Sequence, residues 1–182
     1  MKSELEEISM EFVRGLPIEC GTMPNTTPWT NALKNQLYKM GKDRGMLPCG
    51  RNAKEYGGEG EWMLDVVWWS DEHHEVVLGV ESELGNARHV IFDFDKLMSV
   101  DCPHKLLLFY DAPNLVKKLE LNLATKMRHH IGDDYMLLAM HPEDVRPYYF
   151  QVPSEGCLNV VKFIQLETLP WPWKRSCDAA GI

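Results

Sequence analysis

Apolar residues recur along this chain with two different periods, and the switches between them divide it into elements. Near the start, Leu5, Ile8 and Phe12 fall on one helical stripe, followed by a Gly-, Pro- and Thr-rich link ending in PNTTP. Thr27 can cap a helix whose first residue is Pro28. Trp29, Leu33, Leu37 and Met40 then follow at spacings of four, four and three, which is a helical period. Gly41 and Gly45 are expected to end that helix, and RNAKEYGGEGE reads as a loop. Two β-like runs come next, residues 61–69 (EWMLDVVWW) and 74–84 (HEVVLGVESEL). The short polar SDEHH between them makes a hairpin the expected connection. In residues 89–100, Val90, Phe94 and Leu97 return to helical spacing. HKLLLFYDA reads as a buried strand, and residues 115–131 as a helix with Val116, Leu119, Leu123 and Met127 inward. YMLLAM is a further buried strand, YYFQV and LNVVKFIQL are strand-like, and the tail LPWPWKRSCDAAGI is expected to be irregular.

The order helix, strand, strand, helix, strand, helix, strand implies an α/β fold: a mixed central β-sheet flanked by helices. Residues 1–182 are expected to form a single domain, with 1–28 a peripheral N-terminal segment and 113–182 a C-terminal helix and strands. No internal repeat is present. Neither GxGxxG nor GxxxxGK[ST] occurs, which argues against a dinucleotide-binding fold or a P-loop.

Composition changes this picture little. The chain has 182 residues, 45% of them hydrophobic and 25% charged, enough for one sizeable core. No apolar run approaches the roughly 18 residues of a membrane span. Glu4, Glu6 and Glu7 stand where a secretory signal would be apolar. The five cysteines are odd in number, widely spaced and without a CxxC pair, as in a reduced, cytoplasmic protein. Charge is more informative. The net charge is −8, but residues 29–54 carry six basic side chains and one acid, whereas residues 55–101 carry twelve acids against Arg88 and Lys96. Such segregation can set an acidic site beside a surface that holds a polyanion.

The acids are not randomly placed. Side chains on a strand alternate faces, so Asp65 shares a face with Met63 and Val67, and Glu81 and Glu83 share one with Val77 and Gly79. A turn around 70–74 would bring Asp65 within a few residues of the position opposite Glu81. Glu81 and Glu83 would stand roughly 7 Å apart along their strand. Three carboxylates so close raise at least one pKa or demand a cation. Hard oxygen ligands of this kind suit Mg2+ or Mn2+, and such a site suits phosphodiester hydrolysis. A solvated acidic sheet face is the alternative reading of the same spacing.

An Asp on one strand, a hairpin, and then an acid-x-polar triplet after an apolar run resembles the PD-(D/E)XK nuclease superfamily, with its restriction-endonuclease-like core. EWMLDVVWW, VVLGVESELG and FDFDKL also look like a bacterial or phage branch of it. The resemblance implies a nuclease core over residues 29–112 and metal-dependent cleavage of DNA, with RNA left open as substrate and homodimer left open as assembly. It implies that Asp65 and Glu81 ligate Mg2+ or Mn2+. Leu64-Asp65 replaces the motif's Pro-Asp, and Glu83 stands at the motif's lysine. Glu83 would then be a further ligand or a base that orients water. Lys96 would supply the missing positive charge to the transition state, or else form an i,i+3 ion pair with Asp93. Glu61 is a candidate peripheral ligand. A protein that keeps the fold as a binding module without activity is the alternative.

Other candidates carry less. His73 and His74 fall in the turn and His129 and His130 at a helix end, without zinc spacing. No GxSxG elbow occurs, and Ser82 points away from the carboxylate face. Trp62, Trp68 and Trp69 read as core, and Trp171 and Trp173 as an edge cover or partner contact. Lys117, Lys118, Lys126 and Arg128 form either a solvated face or a phosphate-binding ridge.

Overall fold

The computed structural model describes residues 3–16, 27–60, 62–125, 132–141, 144–153 and 161–170. Its first helix, α1 (Glu4–Gly15), begins in a capping box: Ser3 Oγ accepts from the Glu6 N–H, and Glu6 Oε2 accepts from the Ser3 N–H. Its buried stripe is Leu5, Ile8, Phe12 and Val13. Helix α2 (Thr27–Asp43) buries Leu33, Leu37 and Met40, the stripe read from the sequence, and adds Tyr38.

Gly41 does not end α2 as expected. A Cβ there would come within 2.7 Å of Trp68 Nε1, so the glycine is there to let the indole lie against the helix. Trp68 Nε1 donates to the Leu37 carbonyl at 3.0 Å. The turn that does close the helix has Gly45 at φ +75°, a conformation that costs glycine little.

Strand β1 (Leu47–Gly50) has no counterpart in the sequence reading. Its Pro48 and Gly50 look like loop residues, but β1 is an edge strand, where a missing N–H is tolerated. A 3-10 turn at Ala53–Tyr56 follows. Then come β2 (Val66–Ser70), β3 (Glu75–Glu83), α3 (Ala87–Ser99), β4 (His104–Tyr110), α4 (Leu115–Thr125), β5 (Asp134–Met140), β6 (Asp144–Gln151), β7 (Ile164–Gln165) and β8 (Leu169–Pro170). Met127 and residues 158–160 lie outside the described residues.

Among the described residues the strands form one open sheet in the order β1-β2-β3-β4-β5-β6-β7, with β8 also on β6. The hairpin β2–β3 and the pairs β1–β2 and β5–β6 are antiparallel; β3–β4 and β4–β5 are parallel, joined through α3 and α4. The chain is therefore α/β with a mixed central sheet flanked by helices. Helices α1 and α2 bury one face of the sheet with Val66, Trp68, Val80 and Leu108. Helices α3 and α4 bury the other with Val67, Leu107, Phe109 and Leu137. No helix among the described residues is long and apolar enough to cross a membrane.

Candidate acidic site

Strand β2 starts at Val66 rather than at residue 61, so Asp65 stands immediately before the strand instead of within it. The reason lies in the neighbour on each side. Leu64 is buried against Gly79 of β3, where a Cβ would come within 2.7 Å of Leu64 Cδ1. The missing side chain of Gly79 is thus the seat of Leu64. On the other side, the Val66↔Val80 pair begins the ladder. The register slips by one between Trp68 and Trp69, and this bulge sets Val66 opposite Val80, so that Asp65 lies one step beyond, beside Glu81.

The Asp65 carboxylate is fully engaged. Oδ2 accepts from the Ser82 N–H at 3.0 Å and the Ser82 hydroxyl at 2.9 Å, extending the ladder with a side chain. Oδ1 lies 2.6 Å from the Lys34 ammonium of α2. Ser82 does face away from Glu81, as alternation requires, but Asp65 reaches it across the strand end.

Glu81 is about 1% exposed, on the α3 face of the sheet. Its Oε1 lies 2.5 Å from the Lys96 ammonium, which is its close charged partner. Lys96 also lies 2.9 Å from Asp93 Oδ1. Lys96 therefore makes the i,i+3 pair with Asp93 and reaches the strand acid Glu81 as well.

One ammonium thus serves two carboxylates in a poorly hydrated place. Burial pushes Glu81 up to about 8, with Lys96 opposing the rise and Asp65 and Asp93 adding to it. Burial also raises Asp93, again against Lys96. For Lys96 itself burial favours the neutral amine, but Glu81 and Asp93 outweigh it and hold the ammonium charged. At neutral pH the metal-free cluster keeps a proton on Glu81.

Helix α3 presents this chemistry by its own periodicity. Asn86 caps it through the Arg88 N–H at 2.8 Å. Val90, Phe94 and Leu97 turn to the core, and His89, Phe92, Asp93 and Lys96 form the adjacent stripe. Phe92 is 63% exposed, with the Lys96 ammonium 5.8 Å from its ring centre. Glu83 is placed differently from Glu81: Oε1 accepts the Gly85 N–H at 2.7 Å, and Oε2 lies 3.5 Å from His89 Nδ1.

The structure thus sets Glu81 and Lys96 side by side, leaves Asp65 at the adjacent strand position with its carboxylate turned to Lys34 and Ser82, and turns Glu83 toward the turn after β3. Lys34, Ser82 and Asp93 were not assigned to the site from sequence. Lys34 carries the only local hint, flanking the α2 core stripe at Leu33; its partner is 31 residues away. Of the remaining candidates, His73 and His74 lie in the β2–β3 turn, with His74 at φ +52°. Trp68 is core, whereas Trp62 is 43% exposed and stacks obliquely on Trp69. Glu61, His129, His130, Trp171 and Trp173 lie outside the described residues.

Among the described residues no three His, Cys, Asp or Glu side chains come together as a cation cage. Mg2+, however, is commonly held by one or two carboxylates together with waters and substrate phosphate. Asp65 and Glu81, at neighbouring positions of β2 and β3, would supply that simpler donor set only by giving up contacts to Lys34, Ser82 and Lys96, and Glu83 does not add to it. Comparison of the chain with protein-family models, curated proteins and solved structures returned no match.

Proposed function

We propose that this chain is a nuclease-like phosphodiesterase dependent on Mg2+ or Mn2+, with DNA as its substrate and the cytoplasm as its place of action. One observation carries the reading. Asp65 and Glu81 are neighbours across adjacent strands at the carboxyl end of β3, and a lysine ammonium lies against Glu81. The arrangement resembles a PD-(D/E)XK site in which the lysine comes from the following helix.

In this reading Asp65 and Glu81 hold the ion, which would acidify a bound water and offset charge on the scissile phosphate. Lys34 and Ser82 fix the direction of the Asp65 carboxylate before any ligand arrives. Lys96, already against Glu81, would offer its ammonium to a phosphoryl oxygen of the substrate, with the Glu81 proton released to solvent when a cation binds. Half-buried Glu83 and exposed His89, a pair beside the cluster, would take up a proton from water.

A second reading rests on its own observation. Lys34 and Lys96 already compensate Asp65 and Glu81, so the cluster needs no ion for charge balance. The chain would then be a nuclease-fold binding module without activity. Plasmid DNA incubated with Mg2+ or Mn2+ decides between the two. The enzyme reading expects nicking or linearisation by the wild type and none by Asp65→Ala or Glu81→Ala. No cleavage, together with no rise in melting temperature on adding either ion, selects the binding module. Equal cleavage by all three proteins points to contamination and rejects the assignment.

A further inference from the structure

A cleft of about 870 Å³ opens at the carboxyl ends of β4 and β5, away from the acidic cluster, between α4, β6 and the segment leading to β7. Sheet register relates the two places. Glu83, Phe109, Ala139 and Arg146 are successive partners across β3, β4, β5 and β6, so Glu83 and Arg146 lie in one row on one face, roughly 14 Å apart at about 4.8 Å per strand. In open α/β sheets this edge is where ligands bind. The cleft's volume falls within the range of small-molecule sites.

Its lining combines two chemistries. Val116, Tyr148 and Ile164 supply an apolar and aromatic wall, with Ile164 62% exposed and open to a ligand. The charged side chains are unequal in availability. Arg146 is committed to Asp111 at 3.0 Å and Asp144 at 3.1 Å. Glu120 accepts the Phe163 N–H at 3.0 Å. Lys117, on the first turn of α4, and Lys162, on the opposite wall, line the same space and have no ion-pair partner among the described residues. In a protein of net charge −8, two lysines without an ion-pair partner among the described residues therefore line one cleft, in which Asp111 is paired with Arg146 and Glu120 accepts a backbone N–H.

We propose that this cleft binds a nucleoside phosphate: the phosphate between Lys117 and Lys162, the planar base against Tyr148, Val116 and Ile164. The shared chemistry is that of a free mononucleotide or of the terminal nucleotide of a strand. The inference does not depend on the acidic cluster being catalytic, since binding is measured without divalent ions and with Glu81 intact.

The test is calorimetric titration of the whole chain with thymidine monophosphate, a 5′-phosphorylated dinucleotide, thymidine and inorganic phosphate. Binding of either phosphorylated nucleotide is expected, at least about tenfold tighter than thymidine or phosphate alone, because both halves of the ligand contribute. A preference for the mononucleotide identifies a free nucleotide as the ligand, and a preference for the dinucleotide identifies a strand end; each supports the site. Lys117→Ala and Lys162→Ala alter exposed side chains, should fold normally, and should each weaken binding about tenfold. Tyr148→Leu should reduce the advantage over inorganic phosphate. No binding of either nucleotide, or binding unchanged in both lysine variants, overturns the proposal. Loss of plasmid cleavage with nucleotide binding retained would reject the nuclease reading alone.

Discussion

Lys96 on α3 and Glu81 on β3 approach to 2.5 Å between Nζ and Oε1, yet the same ammonium also lies 2.9 Å from Asp93. A buried and a half-buried acid sharing one base cannot both be ionised without cost, and Glu81, about 1% exposed, is the one that retains its proton. Its folded-state value of about 8 lies above its ordinary value of 4.5. Between those limits the folded chain binds more protons at Glu81 than the unfolded chain does, so stability falls as pH rises through the window. Urea unfolding from about pH 5 to about pH 9 should show that fall, and Glu81→Gln should remove most of it and be the more stable protein above about pH 8 by roughly 1–3 kcal/mol. An identical pH slope in the variant would show that the proton is held elsewhere.

A divalent ion must displace that proton. Binding of Mn2+ or Mg2+ to Asp65 and Glu81 should therefore strengthen as pH rises toward about 8 and fade in mildly acidic solution. The rise in melting temperature with added Mn2+ reads this directly. Asp65→Asn should abolish the rise; its side-chain oxygen can still accept from Ser82, and the lost Lys34 ion pair should lower the metal-free melting temperature modestly. A metal-induced shift that survives both Asp65→Asn and Glu81→Gln would place the ion at another site.

Most of the fold was legible because its signals are local. The α1, α2 and α3 stripes, the short polar turn after β2, and the apolar runs of β4 and β5 each follow from residues close in sequence. What could not be read is non-local. Gly41 looked like a helix terminator because its reason, the Trp68 indole, lies on another element. Strand β1 was hidden by Pro48 and Gly50, whose tolerance depends on being at a sheet edge. At the acidic site, alternation correctly separated Ser82 from Glu81, and the hairpin brought Asp65 near Glu81. The carboxylate of Asp65 then turned to the Ser82 side, drawn by Lys34 and two hydrogen bonds that no spacing rule contains.

The seat of Leu64 offers a test of what positions Asp65. In Gly79→Ala the new methyl would meet Leu64 Cδ1 at 2.7 Å and Cys102 Sγ at 3.3 Å. Leu64 must move, and the turn carrying Asp65 moves with it. The expected cost is about 1–3 kcal/mol of stability, with a weakening of Mn2+ binding larger than that in a Leu37→Ala variant, which damages the opposite face of the sheet. Leu64→Ala made on top of Gly79→Ala should relieve the clash and restore part of the loss. Additive costs in the double variant would show that the two side chains do not compete for the same space.

At the amino end of the central strand β4, His104 ties α1 to β5. Its Nε2 lies 3.4 Å from Glu4 Oε2 and its Nδ1 3.6 Å from Asp134 Oδ2, while Tyr149 and Gln151 also donate to Asp134. Burial alone would favour neutral His104, but the acids prevail and raise its pKa. Burial likewise works against ionised Asp134, and the donors around it prevail and lower its pKa. For the histidine, the stabilisation is complete below its unfolded value of about 6.5 and is lost as pH rises through the higher folded value. For the aspartate, the stabilisation is present above about 3.9 and is lost as pH falls through the lower folded value. Between those values both contributions hold, so the α1 clamp should be tightest in mildly acidic solution. Hydrogen exchange at the α1 amides checks this: at about pH 5.5, intrinsic-rate-corrected protection should exceed that at about pH 8 in wild type. In His104→Gln the difference should disappear. Protection that is the same at both pH values in the wild type would mean that α1 is held by Leu5, Ile8 and Phe12 alone, with the histidine contributing nothing to its docking.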